Sequence, residues 1–293
     1  MARTPLTFDI VDVFAEEKYA GNQLAVVRFG KDLNALQMQK IAREINYSET
    51  TFIISSEQRH GGFDVRIFTP KEEVPFAGHP TLGTAYVIRN ELLNEQIETV
   101  ILNLKVGQIP VTFHADGLLW MRQKEPTFGK IFDNETISQI LSIHPQDIDN
   151  KFPIQEVSTG LPFIIVPLRK LETAKKCRIV KDTFFDLIKE TEAKSILIFS
   201  PGTYNPENDL NVRVFVDYFG IPEDPATGSG NGCLAGYLVK YQYFGREQVN
   251  IRVEQGYEIG RPSLLYLNAE VRDGRIAVSV GGKVIPIAQG HLL

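Results

Sequence analysis

The chain has 293 residues, of which 43% are hydrophobic and 23% charged, and its formal net charge is −5. A chain of this length and composition can fold as one large globular domain or as two smaller ones. The acidic balance argues against a nucleic-acid partner, because proteins that bind nucleic acid normally present a basic face. It does not argue against an anionic small molecule, since a local site can be positive in an acidic protein.

The cysteines and the apolar runs narrow the class further. Only Cys177 and Cys233 are present, with no CxxC pair and no Cys/His cluster, so neither a zinc site nor a disulfide framework is predicted. No run of 18 apolar residues occurs, and we expect no membrane span. The segment MARTPLTFDIVDVF lacks the apolar run of a signal peptide, which leads us to expect a cytoplasmic protein.

The first half of the chain alternates strands with one helix and one glycine-rich segment. Strands are predicted at residues 8–13, 24–27 and 63–68, and an amphipathic helix over 33–45. A glycine-rich turn at 77–83 (AGHPTLG) precedes a helical pattern at 84–88. Asp116-Gly117 then joins strands at 111–113 and 118–121 in a hairpin, with both turn residues expected at positive φ.

The second half repeats this order. A strand at 211–216 leads through a proline-rich loop to a second glycine-rich turn at 226–232 (ATGSGNG) and a helix at 233–239. Asp273-Gly274 joins the last pair of strands, at 267–271 and 276–280. A separate helix is predicted over 182–192, with Asp182 as its N-cap. The repeated order indicates internal duplication, and we predict two similar domains, 1–124 and 125–281, with a cleft between them.

Each glycine-rich turn is expected to present free backbone N–H groups and the positive end of a helix dipole, which together suit a carboxylate. Either turn, considered alone, can be explained without a ligand, by glycines that let a tight loop enter a helix. A dinucleotide site is disfavoured at Gly228, because the spacing is GxGxG and eleven residues separate it from the strand residue Val216. No P-loop and no GxSxG elbow is present.

Three side chains stand out as candidates for acid–base chemistry. Glu49 lies between the first predicted helix and a strand starting near Thr51, where burial facing a cleft would raise its pKa toward that of a useful base. His79 lies inside the first glycine-rich turn, and Asp224 leads into the second. Composition alone favours ordinary roles for them: a solvated glutamate, a hydrogen-bonded structural histidine and a turn aspartate.

At these residues the sequence resembles the phenazine-biosynthesis (PhzF-like) family. The resemblance runs from Asp12 to Gly256 and rests on five short segments in the same order. They are GNQLAVV at 21–27, SET at 48–50, RIFTP at 66–70, FAGHPTLG at 76–83 and EDPATGSG at 223–230. Together they are specific for the family but not for one substrate.

The resemblance implies the diaminopimelate-epimerase-like fold. In it, two similar α+β domains each wrap a bent, mostly antiparallel sheet around a central helix. It also implies that the tail at 282–293 crosses back to the first domain. Relatives that epimerise amino acids carry a cysteine in each glycine-rich turn, where this chain has Ala77 and Thr227. Two-base epimerisation by thiolates is therefore not expected.

The resemblance further implies a cofactor-independent, metal-free isomerase. Glu49 would move a proton between carbons of a small carboxylate-bearing substrate, assisted by His79 and Asp224. The residues implied in substrate binding are Ser48, Gly78, Gly228, Ser229 and Gly230. The phenazine precursor is one candidate substrate, and a homodimer is a further expectation. A hydrolase or lyase on the same scaffold and a small-ligand-binding protein remain as alternatives.

Overall fold

The computed structural model describes residues 6–93 and 95–293. The chain divides into two compact units, one running to Arg122 and including Gly281–Leu293, the other Gln123–Val280. Within the described residues, every helix is too short or too polar to cross a membrane.

The described part of the first unit contains nine strands and two α-helices. The strands are β1 (Leu6–Val13), β2 (Asn22–Val27), β3 (Thr50–Ile53), β4 (Phe63–Phe68), β5 (Glu73–Val74), β6 (Thr99–Leu104), β7 (Gly107–Phe113), β8 (Leu119–Arg122) and, from the far end of the chain, β18 (Val284–Leu292). The helices are α1 (Ala35–Ile45) and α2 (Gly78–Val87), and α2 continues as a π-helix over Ile88–Leu93.

The strands of the first unit pair in the order β18-β1-β2-β3-β4-β6-β7-β8. The β2–β3 and β4–β6 pairs are parallel and the others antiparallel, while the short β5 pairs with one end of β4. Strands from both ends of this order contact α2, so the sheet wraps around that helix. Helix α1 covers the other face at β3 and β4, where Met38 and Ala42 pack against Phe52 and Phe68.

The second unit contains the remaining nine strands and four α-helices. Its strands are β9 (Thr127–Phe132), β10 (Ile154–Ser158), β11 (Pro162–Pro167), β12 (Ile196–Ser200), β13 (Leu210–Phe215), β14 (Glu223–Asp224), β15 (Gln248–Gln255), β16 (Ser263–Arg272) and β17 (Arg275–Gly282). Its helices are α3 (Asn134–Leu141), α4 (Leu171–Lys176), α5 (Lys181–Lys189) and α6 (Gly228–Lys240). The N-cap position of helix α5 is occupied by Val180. Asp182 lies in the first turn of the helix rather than at the predicted N-cap.

The second unit repeats the pairing pattern of the first. Its strands follow the order β9-β10-β11-β12-β13-β15-β16, with β11–β12 and β13–β15 parallel, and β14 pairs with one end of β13 as β5 does with β4. Helix α6 contacts β10, β11, β15 and β16, in the way that α2 contacts its own sheet. The predicted α+β fold of two similar domains, each with a central helix, is confirmed.

The two central helices begin earlier than the sequence predicts. Helix α2 starts at Gly78 and α6 at Gly228, so the glycine-rich segments form the first turns of the helices instead of separate turns before them. The glycines are needed for close packing rather than for a break. A Cβ on Gly83 would lie 2.6 Å from the side chain of Leu24 and 2.9 Å from that of Val13. This tertiary requirement outweighs the low helix propensity of glycine.

The two Asp-Gly hairpins differ from one another. Asp273 and Gly274 both have positive φ, at 52° and 74°, as a two-residue hairpin turn requires. In the first hairpin only Gly117 does, at 85°, so that part of the prediction is wrong. There the Gly117 N–H donates to the His114 carbonyl, and the Asp116 side chain accepts from the N–H of Leu118. The longer, side-chain-braced turn removes the need for a second positive φ.

The turn between β15 and β16 allows a matched test of close packing. Gly256 and Gly260 both have positive φ, at 81° and 71°, so alanine at either should cost about 1–2 kcal/mol in backbone strain. A Cβ on Gly260 meets no other atom, whereas one on Gly256 would lie 2.6 Å from the Pro225 carbonyl oxygen and against that of Arg261. We expect Gly256→Ala to lower the free energy of unfolding by about 1–3 kcal/mol more than Gly260→Ala. Urea unfolding of both variants measures this, and equal losses would contradict the packing.

Candidate functional site

Glu49 is held at the start of a central strand of the first unit. Helix α1 begins with a capping box between Asn34 and Gln37 and ends with Asn46 at a left-handed φ of 56°, so the chain turns sharply three residues before Glu49. Strand β3 then begins at Thr50, and it pairs on both sides, with β2 and β4. The Glu49 side chain is 19% exposed and Ser48 is half-buried, so the carboxylate is shielded but still reachable.

His79 faces Glu49 from the first turn of α2. Its ring is 5% exposed, and its Nε2 lies 3.6 Å from Glu49 Oε2. This Nε2 has no hydrogen bond, so the bond to the backbone carbonyl of Gln23 is made by Nδ1–H. Burial lowers the pKa of His79 to about 3, and the Gln23 carbonyl opposes that effect only in part. The imidazole is therefore neutral, and its unprotonated Nε2 is the ring nitrogen that lies near Glu49.

This arrangement can accommodate one additional proton. An ionised carboxylate and an unprotonated Nε2 are both acceptors, so a contact of 3.6 Å between them is too long for a hydrogen bond and brings no attraction. Once Glu49 takes up a proton, it can donate that proton toward Nε2, and the pair becomes attractive. Contacts of this kind are often long in a free enzyme and shorten when ligand binds. The geometry thus suits Glu49 as a base and neutral His79 as its hydrogen-bond partner.

The second unit holds a separate polar cluster at the start of α6. Asp224 is 9% exposed, and its Oδ2 accepts a 2.5 Å hydrogen bond from the Thr227 hydroxyl. The first residues of α6, Gly228, Ser229 and Gly230, are all buried. The N-cap side chain makes no cap hydrogen bond, so the backbone N–H groups of this first turn have no partner within the helix. The same holds for α2, whose N-cap Ala77 cannot cap.

Sequence reasoning did not identify three residues of these clusters. Gln255, at the end of β15, is fully buried and binds both Asp224 and Thr227. Asn231, in α6, donates to the Gln255 side chain at 2.8 Å, and Gln23 sets the tautomer of His79. The available signal for Gln255 was a polar residue followed by glycine, which is too common to single out a site.

The duplication assigns each residue an equivalent in the other unit. Val74 pairs with Ile67 in the first unit, and Asp224 pairs with Val214 in the second, so Val74 and Asp224 are equivalent. The other equivalences follow from the strand registers in the same way. The equivalent pairs, first unit before second, are Glu49/Ser195, Val74/Asp224, Ala77/Thr227, His79/Ser229, Thr81/Asn231 and Leu104/Gln255. The acid–base pair therefore exists only in the first unit, and the polar cluster only in the second. Among the described residues, no three His, Cys, Asp or Glu side chains come together to hold a metal ion.

Comparisons with known proteins agree with this architecture. A family model described as phenazine biosynthesis-like protein matches residues 11–290. An uncharacterized isomerase of Pasteurella multocida is 34% identical over 99% of this chain and 94% of its own length. The trans-2,3-dihydro-3-hydroxyanthranilate isomerase of Pseudomonas aeruginosa is 32% identical over 96% of this chain and 97% of its own.

Solved structures give the same result. A PhzF-family phenazine biosynthesis protein of Bacillus anthracis matches with a TM-score of 0.91 at 26% identity, over 99% of this chain and all of its own. A hydroxyproline epimerase of Agrobacterium vitis matches with a TM-score of 0.64 at 8% identity, over 99% of this chain and 91% of its own, and it shares the fold alone.

The protonation state of His79 can be tested directly. Its pKa is lowered from 6.5 to about 3 by burial, so in the native protein the ring should stay neutral, with its proton on Nδ1, from about pH 8 to about pH 5. The unfolded chain takes up this proton near its ordinary pKa of 6.5 and the folded chain only near 3, so His79 lowers stability as pH falls from about 6.5 to about 3. Imidazole nitrogen-15 shifts measure the state, with His79→Asn assigning the signal. Titration of His79 near pH 6.5 would contradict its burial as a neutral group.

Proposed function

This chain belongs to the phenazine biosynthesis-like protein family and is an isomerase, and we propose that Glu49 moves a proton between two carbons of a small carboxylate-bearing substrate. The observation that carries the proposal is the shielded Glu49 carboxylate facing the neutral imidazole of His79 at 3.6 Å. A general base must be shielded from bulk water but within reach of its substrate, and Glu49 meets both conditions.

The proposed reaction needs one base used twice. Glu49 removes a proton from one carbon, and the electron pair left behind is delocalised into adjacent unsaturation in the substrate. The protonated Glu49 donates a hydrogen bond to His79 Nε2, which has a free lone pair for it. Glu49 then returns the proton to a second carbon. The product has the same atoms as the substrate, so the step requires no oxidant, reductant or other co-reactant.

The equivalent positions in the two units favour a single base over a pair. Epimerases that exchange protons on both faces of one carbon need a proton-transferring group in each half. Here the two helix N-caps are Ala77 and Thr227, and a methyl group or a simple hydroxyl does not act as such a group near neutral pH. Ser195 takes the place of Glu49 in the second unit. One carboxylate base matches a proton moved within a single molecule.

The remaining site residues are assigned by unit. In the first, we assign Ser48 and the backbone N–H of Gly78 to substrate binding beside Glu49. In the second, we assign Gly228, Ser229 and Gly230 to substrate binding and Asp224 to assisting the reaction as a hydrogen-bond acceptor. Free N–H groups at a helix start bind carboxylates well. The first substrate to test is trans-2,3-dihydro-3-hydroxyanthranilate, which is named for the Pseudomonas aeruginosa relative and carries a carboxylate.

Glu49→Gln is the primary test of the mechanism. The amide keeps the shape of the side chain but cannot take up the proton, so turnover should fall by about 10²–10⁴-fold while ligand affinity stays near that of the wild type. Glu49→Asp should retain an intermediate activity, because its carboxylate is withdrawn by one methylene. Glu44→Gln, the same change at an exposed position of α1, is the matched control.

Turnover and deuterium incorporation from solvent are measured for all three variants, with thermal melting alongside. Normal turnover in a folded Glu49→Gln protein would refute the role of Glu49.

Cofactor independence is a separate prediction. Since the proposed proton transfer uses only side chains and backbone groups of the protein itself, activity should be unchanged after dialysis against EDTA and passage over charcoal. The measurement is turnover before and after treatment. A loss restored by added Zn²⁺, Mg²⁺ or a nicotinamide nucleotide would overturn this prediction.

A further inference from the structure

We propose that Gln255 is a positioning residue that fixes the direction of the Thr227 hydroxyl and thereby holds Asp224 as a hydrogen-bond acceptor. The inference rests on the proposed function, in which Asp224 assists the reaction, and it adds a residue that acts through two others. All of its members belong to the second unit.

The orientation of the Gln255 amide follows from backbone groups. Its Oε1 accepts from the Thr227 N–H at 3.1 Å, and a backbone N–H can only donate. Its Nε2 donates to the Asp224 carbonyl at 2.8 Å, and a backbone carbonyl can only accept. If the amide were flipped, its NH₂ group would face the Thr227 N–H, and its oxygen would face the Asp224 carbonyl oxygen, so neither hydrogen bond could form. The assignment of oxygen and nitrogen in this fully buried side chain is therefore fixed by its surroundings.

The direction of the Thr227 hydroxyl follows from that of the amide. Gln255 Nε2 also donates to Thr227 Oγ1, at 3.0 Å, so the hydroxyl oxygen acts as an acceptor there. Its own proton then points to Asp224 Oδ2, 2.5 Å away. That carboxylate oxygen is held as an acceptor and does not carry the proton. Through this oxygen, Asp224 acts as a hydrogen-bond acceptor rather than as a proton donor.

The fold itself does not require this network, as the first unit demonstrates. The position of Gln255 is occupied there by Leu104, and those of Asp224 and Thr227 by Val74 and Ala77. Helix α2 nevertheless begins at the equivalent residue. Of the polar contacts, only the one to the N-cap carbonyl recurs. Thr81 Oγ1 donates to the Ala77 carbonyl at 2.8 Å, and Asn231 Nδ2 to that of Thr227 at 3.1 Å.

A buried amide costs desolvation energy that a leucine does not. The fold accepts a leucine at the equivalent position of the first unit. The presence of Gln255 is therefore explained by the groups that its side chain orients and not by the packing of the helix. Asn231 differs from Gln255 in this respect, because its bond to the N-cap carbonyl has a counterpart in the first unit.

The first arm of the test needs no substrate. In Gln255→Leu, which imports the residue of the equivalent position, the Thr227 hydroxyl proton should exchange with solvent at least about tenfold faster than in the wild type, because its orienting bond is gone. Gln155→Leu is the matched control. Gln155 is also a buried glutamine of the second unit, and its Nε2 donates to the Gly129 carbonyl at 2.9 Å. Exchange in that variant should stay within about twofold of wild type.

The second arm uses trans-2,3-dihydro-3-hydroxyanthranilate. Gln255→Leu should lower kcat by about 10–100-fold, the usual effect of removing an outer-shell partner, and leave KM nearly unchanged. In a Thr227→Val background the same change should cost no more than about twofold, since Gln255 acts through the hydroxyl. Gln255→Glu, a nearly isosteric variant, should recover activity as pH falls, because a protonated carboxyl regains a donor.

The outcomes are distinguishable. Unchanged hydroxyl exchange in Gln255→Leu, or an unchanged kcat despite faster exchange, overturns the role of Gln255 while leaving that of Glu49 intact. A wild-type protein that does not turn over this compound overturns the proposed substrate, and the exchange measurement still decides the positioning. Equal loss of kcat in Gln155→Leu and Gln255→Leu would show a general structural effect and overturn the proposal.

Discussion

Each unit is organised around a helix that has almost no exposed face. Nine of the ten residues of α2 and twelve of the thirteen of α6 are buried. Such a helix cannot be amphipathic, and it must be rich in small residues so that a sheet can close around it. Its first turn is buried as well, where water cannot readily satisfy the free N–H groups. His79 and Asp224, two of the side chains to which we assign the proposed chemistry, lie at or just before these helix starts.

Because the units are duplicated, comparing them separates the residues that both share from those that differ. Both units keep the same Arg–Glu pair beside the short strand, Arg66 with Glu73 and Arg213 with Glu223, which braces the approach to each central helix. The residues around the helix starts, by contrast, differ between the units. A scaffold that is stable with either set of residues leaves those positions free to specialise, because their loss does not remove the core.

Much of the fold could be predicted from the sequence, because strand alternation, the hairpin dipeptides and the repeated order are local signals. The helix starts could not, since the role of Gly83 is set by Leu24 and Val13 on neighbouring strands. Family resemblance supplied Glu49, His79 and Asp224, whereas composition alone gave them ordinary roles. Gln255 lies 31 residues from Asp224 in the chain, and only three-dimensional pairing brings them together. The homodimer and the cytoplasmic location stay predictions.

The pairing of β18 with β1 has a consequence for synthesis. Leu6 lies opposite Leu292, so β1 waits for its neighbour β18 until all the residues between the two strands have been synthesised. During that interval β1 is an edge strand with unpaired backbone groups, the kind of surface on which nascent chains associate wrongly. The second unit contains all of its own strands in one continuous stretch and has no such delay. The nascent protein thus completes its later half before its earlier one.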